Sequence, residues 1–215
     1  MTSHTTTAEL DAMLAAALPT ISKEGKRLAG RLARLLAPGE PLDTEAVASA
    51  LGQTQSRAEA AIDKLPWIVR DDLRRVVGVW GLAVLETPHR LRVAGRDLFA
   101  FCAIDALYLP FLLGEDIDIA STCPATGTPI TLTASREGLS TVAPAAAAVS
   151  LRIPANGLTV DFAQVLEDAC HFIHFFASNT AARQWAAERD AVFTVSIEEA
   201  FELAARSLAA RLVAE

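Results

Sequence analysis

The sequence predicts an α+β fold in which a winged-helix-like helical region precedes a mixed domain of short antiparallel β-strands flanked by helices. Before residue 65 apolar residues recur at helical spacing, as at Leu28, Leu32, Leu35 and Leu36. Between Ile117 and Ile153 they alternate in short runs broken by Gly and Pro, the pattern of antiparallel strands. Ser196 and Glu199 then form a capping-box pair that opens a last helix to Val213. The expected division is a winged-helix-like region at 1–95 and a second domain at 96–215.

In chain order, residues 1–7 are polar and expected to be loosely held, and Ala8 to Leu18 is a helix ended by Pro19. Ile21 to Leu36 forms a second helix, with Lys23, Lys26, Arg27, Arg31 and Arg34 away from its leucines, stopped by Pro38, Gly39 and Pro41. Asp43 or Thr44 caps a short helix ending at Gly52, and Thr54 or Ser56 opens another through Leu65. Ile68 to Arg70 reads as a strand. Gly81 to Leu85 and Arg90 to Val93 read as two more, joined as a small hairpin through Thr87 and Pro88. Gly95 and Arg96 turn the chain, and Asp97 is expected to cap a helix from about Leu98 that Pro110 strains or ends and Gly114 closes.

After the alternating region, Val160 to Asp168 reads as a helix and the segment around Cys170 to Phe176 as a strand. A helix around Trp185, capped by Ser178 or Asn179, and a strand Val192 to Val195 complete the chain.

With 26 acidic against 19 basic residues and a net charge of −7, the chain is poorly suited to broad contact with nucleic acid or an anionic membrane. The TQSRAEAAIDKL helix offers only Arg57 and Lys64 against Glu59 and Asp63, so a DNA-binding role for the winged-helix-like region is electrostatically weak. No apolar run reaches the roughly 18 residues of a membrane span, and the N-terminus lacks a signal-peptide pattern. Three widely spaced cysteines fit free thiols in a reducing compartment, and the expected location is the cytoplasm.

Chemistry is concentrated in two stretches. LFAFCAIDALYLPFLLG, Leu98 to Gly114, sets Cys102 and Asp105 three residues apart in an apolar run, so that on a helix they share a face. A carboxylate there must find a partner or hold a proton. ACHFIHFFAS, Ala169 to Ser178, contains Cys170. In a strand Cys170 and His174 would lie on one side, with His174 either a ligand or proton carrier or a buried, hydrogen-bonded histidine. Cys123, in the CPATG turn, has a setting more often structural, and no second CxxC supports a zinc ribbon.

The segments LFAFCAIDALYLPFLLG, STCPATGTPITLT and CHFIHFFAS, in this order, resemble the organomercurial lyase (alkylmercury lyase) family over about Leu98 to Leu212. The resemblance implies cleavage of a carbon–mercury bond by two cysteines and an aspartate, at positions matching Cys102, Cys170 and Asp105, with the same residues meeting mercury as substrate and product. Phe101 stands where the family often has tryptophan, and His171 where some members have a further cysteine. No resident cofactor is expected. The expected partners are an organomercurial, low-molecular-weight thiols that release Hg(II) and, by the resemblance, mercuric reductase. Soft mercury prefers thiolates, and a second thiolate makes the attached carbon more basic, so that it needs a proton. Asp105 is the expected donor, its pKa raised by apolar surroundings, and a helix N-terminus is expected to lower that of Cys102. Two other readings stay open: a soft-metal carrier or sensor using Cys170, His174 and Cys102 without catalysis, and a winged-helix regulator.

Overall fold

A computed structural model describes residues 5–213. Residues 1–4, part of the stretch expected to be loose, fall outside it. Four helices open the chain: α1 (Thr7–Ala17), α2 (Lys23–Leu36), α3 (Thr44–Leu51) and α4 (Gln55–Ile62). Their starts are set by local chemistry, since Thr6, Ser22, Asp43 and Thr54 each accept a backbone N–H that the first helical turn leaves without a partner. In α2 the small and apolar residues Ala29, Leu32, Ala33 and Leu36 are buried while the basic residues stay outside.

The strands β1 (Ile68–Arg70), β2 (Val76–Val79), β3 (Leu82–Ala83), β4 (His89–Val93) and β5 (Arg96–Ala100) follow, then helix α5 (Ala103–Leu113) and strands β6 (Ile117–Thr122), β7 (Pro129–Ala134) and β8 (Leu139–Ala143). They form one antiparallel sheet in the order β1-β2-β3-β5-β4-β6-β7-β8. The remaining elements are β9 (Ala148–Arg152), α6 (Phe162–Asp168), β10 (Phe175–Phe176), α7 (Asn179–Ala186), β11 (Val192–Ser196) and α8 (Ile197–Leu203). The last continues through a π-helical stretch, Ala204–Ala209, into α9 (Ala210–Leu212). A second antiparallel sheet has the order β10-β9-β11. The architecture is the expected α+β fold.

Three local expectations are corrected. Strands β3 and β4 do not pair with each other, because β5 lies between them. Ala94 and Gly95, at φ 45° and 80°, make the tight turn that folds β4 directly onto β5. For the same reason Asp97 caps no helix: it sits in β5 and pairs with Arg90 and Arg92. Pro110 does not end α5, which runs on to Leu113 and closes at Gly114. A helical proline costs about 3 kcal/mol. Burial of Leu109, Leu112 and Leu113, at roughly 1.5–3 kcal/mol each, outweighs it.

Helix α5 is apolar on every side and buried accordingly, packed against the large sheet, against β9 and against α2 and α8. Its N-terminus therefore opens inside the protein.

Candidate active site

Cys102 has extended backbone (φ −148°) at the N-cap of α5, and Asp105 is the third residue of the helix proper. The thiol donates to Asp105 Oδ2 at 3.0 Å. The i, i+3 pair thus meets as its spacing predicts, although the helix starts five residues later than expected.

Cys170 comes from the other half of the chain. It lies not in a strand but in a short 3₁₀ turn, Cys170–Phe172, after α6, which replaces the expected facing of Cys170 with His174. Tertiary hydrogen bonds hold this turn. Ser150, fully buried in β9, donates its hydroxyl to Phe172 O at 2.7 Å and accepts the His174 N–H at 3.0 Å, and its own N–H goes to His174 O. The Ala103 N–H, just past Cys102, donates to Ile173 O at 3.1 Å. That bond ties the start of α5 to the Cys170 turn. As a result Cys102 Sγ, Cys170 Sγ and an Asp105 oxygen all lie within 4.8 Å of one another, the one such grouping of His, Cys, Asp and Glu among the described residues.

Gly81 forms the wall behind Asp105. It has φ +87°, and a Cβ there would stand 2.6 Å from Asp105 Cγ. Tyr108 donates its hydroxyl to Trp80 O and the Phe101 N–H goes to Gly81 O, fixing this turn against α5. In the sequence Gly81 falls within an expected strand, and its one signal is a glycine directly after a bulky Trp80. Gly81→Ala is expected to push the carboxylate out of hydrogen-bond reach of the Cys102 thiol, a displacement that a crystal structure of the variant checks.

Burial raises Asp105 to about 6, even though its bonds from Cys102 pull the other way. Cys102 is pushed well above the usual thiol range, first by burial, then by Cys170 and Asp105 beside it. The expected lowering at a helix N-terminus is therefore reversed, because loss of solvation and two adjacent groups outweigh the dipole. At pH 7 the proton sits on sulfur and the carboxylate is mostly ionised.

The three groups open on a cavity of about 60 Å³ with a mainly apolar lining that includes Leu14, Trp67, Trp80, Phe162 and Leu208. The other expected candidates lie apart from the cluster. His174 Nε2 bonds His171 O at 2.9 Å and its ring meets Trp185 edge to face, while burial lowers its pKa. Cys123 is buried in the CPATG turn, its N–H bonded to Thr128 O.

A family model described as alkylmercury lyase (MerB) matches residues 82–209. The chain is 36% identical over 180 residues to an alkylmercury lyase of Staphylococcus epidermidis, covering 84% of this chain and 80% of that protein. It is 38% identical over 174 residues to one of Pseudomonas putida, covering 80% and 78%. Among solved structures, one titled as the crystal structure of the mercury-bound form of MerB2 aligns with a TM-score of 0.75 at 26% identity, covering 95% of this chain and 99% of that one.

Proposed function

Because the chain belongs to the alkylmercury lyase family, we infer that it is an organomercurial lyase, with Cys102 and Cys170 as mercury ligands and Asp105 as the group that moves the proton. The observation that carries the assignment of roles is the convergence of two thiols and a carboxylate within 4.8 Å, with one thiol already hydrogen-bonded to the acid. Mercury bridging two sulfurs needs them only about twice a metal–thiolate bond apart, and such bonds are about 2.3 Å even for smaller zinc.

The order of events follows from access and bonding. Cys170, 7% exposed against 1% for Cys102, meets the incoming R–Hg–SR′ first. Its sulfur bonds mercury, the R′S–Hg bond breaks, and the departing thiolate leaves with the Cys170 proton. Cys102 then binds, and mercury makes its thiol acidic enough to pass its proton to Asp105. Two thiolates enrich the carbon, Asp105 delivers the proton to it, and the carbon–mercury bond breaks. RH departs and Hg(II) stays on two sulfurs. External thiols then exchange it away, and a mercuric reductase is the proposed recipient. The cysteines serve this chemistry only when reduced, which favours the cytoplasm. Among the described residues no helix is long and apolar enough to cross a membrane.

The test is gas release. Methylmercury in excess thiol should give methane and one Hg(II) per turnover, and CH3D in D2O. Stoichiometric Hg(II) binding without hydrocarbon would support the carrier or sensor reading instead. The acid limb is a separate expectation. Asp105 must be ionised to accept the thiol proton, so kcat/KM should fall tenfold per pH unit below an apparent pKa of about 6. A profile flat down to pH 5 would remove Asp105 as the acceptor.

A further inference from the structure

The cavity lining contains, among the described residues, one positive charge. Arg152 ends β9, half-buried, with its guanidinium 3.9 Å over the ring of Phe172, two residues beyond Cys170. It forms no ion pair with any described carboxylate. The other ionisable groups of the lining are the reacting ones and Tyr108. Stacking on an aromatic face orients the planar fork and occupies none of its N–H donors, whose best match is a carboxylate.

Neutral alkyl and aryl groups give such a cation nothing to recognise. The thiols that bring an organomercurial and take away Hg(II) do, since biological low-molecular-weight thiols carry carboxylates a few bonds from sulfur. We propose that Arg152 docks the carboxylate of a low-molecular-weight thiol, so that anionic thiols exchange with mercury at Cys170 and Cys102 faster than neutral ones. The proposal rests on those cysteines being the ligands. In each exchange the incoming sulfur bonds mercury, one protein sulfur–mercury bond breaks, and the thiol proton moves to the released cysteine. Two exchanges free Hg(SR)2 and restore both thiols without any change of oxidation state.

The test uses full-length protein loaded with one Hg(II), and follows withdrawal of the metal by mercaptoacetate, 2-mercaptoethanol and cysteamine. Intrinsic differences among the thiols cancel when each rate is divided by that of Arg152→Gln. The ratio of wild type to R152Q should be about tenfold for mercaptoacetate, the size of one partly solvated charge-assisted contact. It should be under about twofold for 2-mercaptoethanol and at or below one for cysteamine. Arg152→Lys should recover part of the mercaptoacetate rate, because it keeps the charge and loses the fork. Equal ratios for all three thiols, whether from a shared loss or from none, would overturn the proposal. Withdrawal is read whether or not methane forms, so a chain that releases no methane yet shows the charge-dependent ratio would count against the lyase reading and not against Arg152.

Discussion

Replacing either Cys102 or Cys170 by serine should lower hydrocarbon release from methylmercury by at least about 1000-fold, some 4 kcal/mol of barrier. Serine is nearly the same size and the fold should survive, but a hydroxyl is a hard donor that mercury does not select and does not deprotonate at neutral pH. With one sulfur gone, mercury remains two-coordinate through carbon and the other cysteine, and the carbon never becomes basic enough to take a proton. The two variants should differ in an informative way. Cys170→Ser should slow capture of the organomercurial, because Cys170 is the less deeply buried of the two residues. Cys102→Ser should still capture it and stop there, leaving R–Hg on Cys170 in a mass spectrum of the intact protein. Retention of normal turnover by either variant would refute the two-thiolate mechanism.

Asp105→Asn is the second large effect and is expected to act in opposite directions on activity and on stability. The amide neither takes the Cys102 proton at neutral pH nor returns it to carbon, so kcat should fall by about 1000-fold, within the range for loss of a general acid and base. The same change should make the protein harder to unfold. Burial raises Asp105 from 3.8 to about 6, so its contribution to stability is present below pH 3.8 and lost as pH rises through 6. At pH 7 the buried carboxylate therefore costs on the order of 3 kcal/mol, from about 1.36 kcal/mol per unit. Asparagine, carrying no charge and still accepting from the thiol, removes most of that cost. Denaturant midpoints at pH 7 and near pH 3.5 provide the check: the variant should lead at neutral pH and the two curves should meet in acid. A variant less stable at both would mean that the carboxylate is held by interactions stronger than its desolvation.

What could be read from the sequence divides by the range of the forces involved. Helix starts at Asp43, Thr54, Ser178 and Ser196 were legible because each cap is a bond to an amide three residues away, whereas the cap at Ser22 was missed, since the second helix is expected from Ile21. The Cys102 and Asp105 pair was legible for the same reason. The start of α5 was not: Leu98 and Ala100 are buried and Asp97 is exposed, but apolar Phe99 hides the alternation, and the turn at Ala94 and Gly95 carries only half the usual signature. The 3₁₀ turn at Cys170 was hidden more deeply, because Ser150, some twenty residues earlier, supplies the bonds that shape it. That Cys170 reaches Cys102 depends on the Ala103 to Ile173 bond, which no local pattern encodes. The resemblance to a known family pointed to that meeting, whereas periodicity did not.

The cavity is asymmetric. On the side of Gly81 the Asp105 carboxyl is pressed so closely against backbone that nothing larger than hydrogen fits, so this face admits no side chain. The same cavity is lined by Leu14 and Leu18, near the beginning of the chain, and by Leu208 and Leu212, near its end. Trimming or enlarging those side chains is expected to reshape the room left for the organic group. Substitutions at these four leucines would thus change which organic groups fit while leaving Cys102, Asp105 and Cys170 in place.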